Sequence, residues 1–315
     1  MTDDSLTGRV SSPFFTVIMP VYNHADYLAE AIASVRQQAF EDWELIIVDD
    51  GSKDASGRIA DDLAAGDLRI RVIHQANAGP AAARNAALAV ARGQWLTYID
   101  SDDIWLPSAL QDYREYIDAH PPTRFIHGYR HRMDEGGPVI EMQGVYQDRP
   151  TGPTELFDRM YLSHLCVCYR RELMDEVGGY DAGLRSCEDY ELYLRMGLRC
   201  TFDPLGKVTG LRRRHGSNIS RQTGWSRIQE ARILQRFVER QGGSAVISPQ
   251  QFHRRLGKLY YAAGRQYFKA GFFANAVEAL GEARRHRRRL KDIALRVLAL
   301  FLLPLGRRED RPWPV

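Results

Sequence analysis

One feature constrains this chain more than any other. Over the first hundred residues, short apolar runs alternate with helix-patterned segments. Residues 14–19 form an apolar, β-branched run that stops at Pro20. Residues 26–38 place Leu28, Ala31, Ile32 and Val35 at helical spacing. Residues 44–48 are again apolar and stop at Asp49-Asp50-Gly51-Ser52. A helix is expected at 54–65, a strand at 69–74, an alanine-rich helix at 81–91 and a strand at 95–99. The order β-α-β-α-β-α-β predicts an α/β fold, Rossmann-like, with a mainly parallel central sheet and helices on both faces. Ligands of such sheets sit at the carboxyl ends of the strands. Three of those ends carry polar clusters: Pro20-Val21-Tyr22-Asn23, Asp49-Asp50-Gly51-Ser52 and Asp100-Ser101-Asp102-Asp103.

Beyond residue 100 the pattern loosens. A helix is expected at 108–119, strands at 125–148 around Gly136-Gly137, and helices near 171–177 and 188–197. From Trp225 onward the chain reads as helical. The expected division is a flexible N-terminus at 1–13, a catalytic domain at 14–222 and a helical C-terminal region at 223–315.

Composition bounds the function. The formal net charge of +3 gives no ground for a nucleic-acid partner. Cysteines at 166, 168, 187 and 200 show no Cys-x-x-Cys pair, so neither zinc nor a disulfide framework is expected. The start Met-Thr-Asp-Asp-Ser does not resemble a signal peptide. No apolar run reaches the roughly 18–20 residues of a membrane span. A cytoplasmic protein is the expectation.

Each cluster has a chemical reading and a plainer one. Asp100-Ser101-Asp102 sets two carboxylates one residue apart, suited to Mg²⁺ or Mn²⁺ held together with substrate phosphates. On its own it reads more simply as an acidic loop capping the next helix. The Asp49-Asp50 pair can accept hydrogen bonds from a base or a ribose, or simply make a turn. Asn77-Ala78-Gly79-Pro80 leads a helix bearing Arg84, which suits a phosphate or a solvated face. Asp189, in Cys187-Glu188-Asp189-Tyr190, can be a general base or a favourable charge in a helix's first turn. Arg212-Arg213-Arg214-His215 reads as a basic loop able to face a diphosphate, or as a surface turn.

The order of these clusters is more specific than any one of them. Val-Ile-Met-Pro-Val-Tyr-Asn at 17–23, Ile-Ile-Val-Asp-Asp-Gly-Ser at 46–52, Asn-Ala-Gly-Pro-Ala-Ala-Ala-Arg-Asn at 77–85 and Tyr-Ile-Asp-Ser-Asp-Asp at 98–103 resemble the family 2 glycosyltransferases. Val-Gly-Gly-Tyr-Asp at 177–181, Glu-Asp-Tyr-Glu-Leu-Tyr-Leu-Arg at 188–195 and Arg-Arg-Arg-His-Gly-Ser-Asn-Ile-Ser at 212–220 extend the likeness. The resemblance implies a GT-A fold and an inverting transfer from a nucleotide-sugar, with a UDP-sugar the expected donor. It places Pro20, Tyr22, Asp50, Asn77, Gly79, Arg84, Asp100 and Arg213 on the donor, Asp102 and His215 on the metal, and Asp189 as the base. The family often has Tyr-Arg-x-His where this chain has three arginines, so the roles of Arg212, Arg213 and Arg214 stay open. The expected acceptor is a glycan or lipid-linked glycan in bacterial surface-polysaccharide synthesis. A nucleotidyltransferase and a non-catalytic scaffold are the competing readings. The turn Pro20-Val21-Tyr22-Asn23-His24 lacks the glycine-rich basic loop usual in the former.

The C-terminal region faintly resembles one tetratricopeptide hairpin over 267–283, where at least three repeats make a solenoid. Residues 284–291 carry six Lys or Arg, and the apolar run Ile293–Leu305 follows, then Arg307-Arg308. Residues 284–308 suit peripheral contact with an anionic membrane surface, or a helix docked on the protein with a solvated basic face.

Overall fold

The computed structural model describes residues 12–134, 137–143, 147–214, 224–287 and 290–305. In chain order the strands and helices are β1 (Phe15–Val21), α1 (Ala25–Arg36), β2 (Trp43–Asp49), α2 (Ser56–Ala64), β3 (Ile70–His74), α3 (Pro80–Leu88) and β4 (Trp95–Tyr98). Then come β5 (Ile104–Trp105), α4 (Ala109–Ala119), β6 (Phe125–Asp134), β7 (Gly137–Gln143), α5 (Pro153–Asp158), β8 (Val167–Arg170), α6 (Glu172–Val177), α7 (Glu188–Gly197) and β9 (Asp203–Arg213). Four helices follow: α8 (Gly224–Arg240), α9 (Pro249–Ala270), α10 (Phe273–His286) and α11 (Leu290–Leu302).

The strands form one sheet in the order β3-β2-β1-β4-β8-β6-β9-β5, with β7 paired to β6. The first four are parallel, as the alternation requires. β8 then pairs antiparallel with both β4 and β6. The chain crosses from β1 outward to β2 and β3, then returns to place β4 on the other side of β1. That reversal opens a crevice at the carboxyl ends of β1 and β4.

Period-2 alternation sorts the side chains. Phe15, Val17, Met19 and Val21 of β1 share a core with Leu28, Ile32 and Val35 of α1, Ala60 of α2 and Tyr113 of α4. On the other side α3 carries buried Ala81, Ala83 and Ala87, small enough for close approach to the sheet. Glu44, next to Trp43 at the start of β2, is buried but satisfied. It accepts from Thr16 Oγ1 at 2.7 Å and Arg92 Nε at 2.8 Å.

The described chain forms two compact units. One comprises 1–150, 162–183 and 202–214 and holds the whole sheet. The other comprises 151–161, 184–201 and 215–315, so α5 and α7 group with α8–α11. Within it, α8, α9, α10 and α11 pack in succession. Glu191 of α7 is buried and met by Arg195 at 2.7 Å and Gln241 at 2.6 Å.

One expectation needs correction. Arg212 and Arg213 do not sit in a loop. They end β9, which pairs with β6 and β5. Basic residues mask strand character when the only sequence cue is an apolar run, and here backbone pairing decides the conformation.

Candidate active site

The turn after β1 is tied to the turns after β2 and β4. Asn23 adopts a left-handed φ of 54°, tolerated by asparagine better than by most side chains. Its Oδ1 accepts from the Lys53 N–H at 2.7 Å, and its own N–H donates to Ser52 Oγ at 3.0 Å. His24 donates its N–H to Ser56 Oγ at 2.9 Å, and its ring Nδ1 lies 2.7 Å from Ser101 Oγ. Pro20 is half-buried on β1, opposite Val48. Tyr22 is 42% exposed, leaving its ring open for stacking.

Asp50 is 4% exposed and organises the next loop. Oδ1 accepts from Gln75 Nε2 at 2.6 Å and from the Ala78 N–H at 2.9 Å. Oδ2 accepts from the Gly79 N–H at 2.8 Å, and Asn77 Nδ2 donates to the Asp50 carbonyl at 3.0 Å. Asp50, Asn77 and Gly79 therefore come together, and the Asp50 carboxylate is engaged with the 75–79 loop. Gly51 sits at φ 73°, and a Cβ there would stand 2.8 Å from the Asn77 nitrogen. Only glycine fits that close crossing.

Arg84, on α3, is 6% exposed and sends Nη2 to Asp100 Oδ1 at 3.1 Å. Its guanidinium also lies over the Tyr180 ring, 5.8 Å from the centroid. Tyr180 is held in turn by Asn85, whose Oδ1 accepts from the Tyr180 N–H at 2.9 Å. Below this loop the buried Tyr98 and Tyr169 hydroxyls meet at 2.5 Å, and the His164 ring stands 4.2 Å from that of Tyr98. Burial pushes the Tyr98 hydroxyl up to about 12 and the His164 ring well below its usual value.

The acidic loop follows β4 directly. Asp100, Asp102 and Asp103 each offer a carboxylate oxygen, and these lie within 4.8 Å of one another. Asp103 is 2% exposed. Burial, and then the charges of Asp102 and Asp100, push its carboxyl well above the ordinary range. The Arg213 N–H donates to Asp103 Oδ1 at 2.9 Å, and Arg213 Nε donates to the Asp102 carbonyl at 3.0 Å. The Arg213 guanidinium also pairs with Glu30 and lies over Tyr27. An all-oxygen donor set with mutual repulsion to relieve fits a hard dication such as Mg²⁺ or Mn²⁺.

Asp189 belongs to the second unit, in the first turn of α7. The preceding Cys187 has a left-handed φ of 61°, a strained value for a side chain other than glycine or asparagine. The two non-glycine residues with positive φ among those described are Asn23, next to Tyr22, and Cys187, two residues before Asp189. His215 lies outside the described residues.

Sequence reasoning placed Asn23, Ser101 and Asp103 in the strand-end clusters but gave none of them, nor His24, a role of its own. Asp103 was visible as the third carboxylate of Asp-Ser-Asp-Asp. The His24–Ser101 contact joins positions 77 residues apart and left no local signal.

Solved structures share this architecture. S. aureus TarS 1–349 in complex with UDP superposes with a TM-score of 0.63 at 20% identity, covering 92% of this chain and 87% of that one. The same protein in complex with UDP-GlcNAc gives 0.61, also at 20% identity, over 94% and 93%. The mannosyltransferase PcManGT from Pyrobaculum calidifontis, in complex with GDP-Man and Mn²⁺, gives 0.54 at 19% identity, over 94% and 81%. These likenesses concern the fold, which is of the GT-A type with an added helical region.

Sequence comparison settles the family. The pattern described as "Glycosyl transferase family 2" matches residues 16–178, and the chain belongs to that family of glycosyltransferases. It is 46% identical over 186 residues to "Uncharacterized glycosyltransferase EpsJ" of Bacillus subtilis, covering 56% of this chain and 54% of the relative. It is 45% identical over 127 residues to "Glycosyltransferase GlyG" of Streptococcus pneumoniae, covering 40% and 42%. TuaG of Bacillus subtilis, named for teichuronic acid biosynthesis, is 36% identical over 128 residues, covering 40% and 51%. The chain thus spans about half, or less, of the curated relatives it matches.

Proposed function

We infer that this protein transfers a sugar, with inversion, from a nucleotide-sugar to a hydroxyl of a glycan or lipid-linked glycan. A UDP-sugar is the favoured donor, and bacterial surface-polysaccharide synthesis is the favoured setting. The observation that carries the reading is the Asp100–Asp102–Asp103 cluster directly after β4, in a chain of family 2. The UDP and UDP-GlcNAc complexes of TarS, and the Mn²⁺ complex of PcManGT, support the donor class and a metal. The naming of TuaG supports the setting.

Asp102, with Asp100 and Asp103 beside it, would hold the dication, and His215 is the further proposed ligand. When bound, a dication offsets the charge that develops on the departing nucleoside diphosphate. Pro20, Tyr22, Asn77 and Gly79 line the nucleoside side, with Tyr22 free to stack and Asp50 holding the 77–79 loop in place. Arg84 orients Asp100. Arg213 braces the acidic loop from β9 and stays on the diphosphate side. Asp189 acts as general base. It takes the acceptor hydroxyl proton as that oxygen bonds to the anomeric carbon and the bond from that carbon to the diphosphate breaks. One in-line displacement inverts the centre with no covalent nucleophile.

The test is a panel of nucleotide-sugars with and without Mn²⁺, followed by Asp102→Ala and Asp189→Asn. Each variant should abolish transfer while remaining folded. Near wild-type turnover in either would remove that residue from its role. Calorimetry with UDP and Mn²⁺ separates an enzyme from a scaffold, which would bind no nucleotide in a metal-dependent way.

A further inference from the structure

We propose that α11 is a docking element for an anionic lipid bilayer, lying flat on the membrane surface with its open apolar face inserted. The proposal stands independently of which sugar is transferred.

The helix is docked by one face only. Asp292 and Ala299, seven positions apart, are buried. Arg287 Nε donates to Asp292 Oδ2 at 3.0 Å, anchoring the start of α11 to the end of α10. Arg296 Nε donates to the Val277 carbonyl of α10 at 3.2 Å, a second anchor. The opposite face is apolar and open. Ala294, Val297, Leu298 and Phe301 recur at i, i+3, i+4 and i+7, and Ala294 is exposed with the rest. Val297 is 45% exposed, Leu298 48%, Leu300 45%, Phe301 78% and Leu305 78%. Among the described residues, six of the nine exposed large hydrophobic side chains lie between 297 and 305. Scattered exposed apolar residues are ordinary, but a contiguous stripe of them marks a contact surface.

The charge beside the stripe selects the occupant. An open groove of about 730 Å³ runs between α10 and α11, lined by Arg284, Arg285 and Arg296 together with Glu278 and Glu282. Arg285 is paired with Glu282 at 2.6 Å. The sequence from 284 to 291 carries six Lys or Arg, and Arg307-Arg308 follow the apolar run. A second copy of this chain on the same face would set Arg284, Arg285 and Arg296 against their own counterparts. An anionic bilayer takes both parts at once: phosphate headgroups meet the cations, and the acyl boundary takes the apolar stripe. α11 itself is too short to cross. No described helix is long and apolar enough to span a membrane, and thirteen residues at 1.5 Å each reach about 20 Å, against a core of about 30 Å.

The experiment is flotation of the full chain with phosphatidylcholine vesicles, with and without phosphatidylglycerol, at low and raised salt. Binding is expected only to the anionic vesicles and is expected to weaken with salt. The variant Leu298→Asp/Phe301→Asp, altered at exposed positions that need no repacking, should lose at least about tenfold in vesicle partition. Its circular dichroism and nucleotide binding should stay unchanged. Arg284→Glu should weaken binding to anionic vesicles without altering fold. Absence of binding to anionic vesicles, or binding that survives the Leu298/Phe301 substitutions, overturns the proposal. So does a concentration-dependent dimer, seen by light scattering without vesicles, that the same substitutions dissolve. Failure here with intact sugar transfer leaves the proposed reaction untouched, and loss of transfer with intact flotation does the reverse.

Discussion

Arg84 and Asp100 form an ion pair at 3.1 Å in which the arginine side chain is 7% exposed and the aspartate 41%. The arginine is buried, and the half-open carboxylate stays accessible. Arg84→Ala should therefore leave Asp100 mispositioned rather than unfold the protein. A charged hydrogen bond contributes about 1.5–3 kcal/mol, so nucleotide affinity should fall about tenfold to a hundredfold. Titration calorimetry with UDP and Mn²⁺ reads it. Arg84→Lys keeps the charge but loses the fork, and should recover only part of the loss.

Chelation with EDTA should remove nucleotide binding, and added Mn²⁺ or Mg²⁺ should restore it. Asp102→Asn should lower the metal's affinity strongly while leaving the thermal midpoint of the metal-free protein unchanged or raised. Removing one of three mutually repelling carboxylates relieves strain in the empty loop. A marked fall in that midpoint would count against this account.

His74 ends β3 with Nε2 3.0 Å from Asp61 and Nδ1 3.1 Å from Asp49. Its pKa is raised by the hydrogen bond to Asp61 and then by that to Asp49. A raised folded pKa contributes stability that is full below the unfolded value, about 6.5, and is lost as pH rises through the folded value. The stability gap between wild type and His74→Gln should therefore be larger near pH 5.5 than near pH 8. Urea unfolding at the two pH values measures it, and an equal gap at both would exclude the effect.

Gly51→Ala should destabilise the protein by about 1–3 kcal/mol, because φ is 73° and the new Cβ would stand 2.8 Å from the Asn77 nitrogen. The clash falls on the 75–79 loop that Asp50 holds. Nucleotide binding should weaken along with the thermal midpoint.

The second unit offers a contrasting test. At Gly264 of α9 a Cβ would meet Leu280 Cγ of α10 at 2.6 Å. Gly264→Ala should cost about 1–3 kcal/mol from overpacking, read as a lower thermal midpoint. Nucleotide binding to the first unit should persist, since neither residue belongs to that unit.

Much of this protein is legible in its sequence. The alternation of apolar runs with helical spacing determined four parallel strands, because period 2 and period 3.6 are properties of local sequence. It also put Asn23, Asp50 and Asp100–Asp103 at strand ends, where such sheets bind ligands. Other features depend on contacts between distant segments. β9 was hidden under basic residues, and its pairing with β5 and β6 brought Arg213 to the Asp102–Asp103 backbone. Asp50 read as a nucleoside contact, yet only the fold revealed that its carboxylate organises the 75–79 loop. The raised carboxyl of Asp103 comes from burial, which no string of residues displays. The tail shows the same division. Its sequence carried both an apolar helix and a basic run. Only packing decided that Asp292 and Ala299 face inward while Leu298 and Phe301 stay open, because the neighbouring helices cover one side of α11.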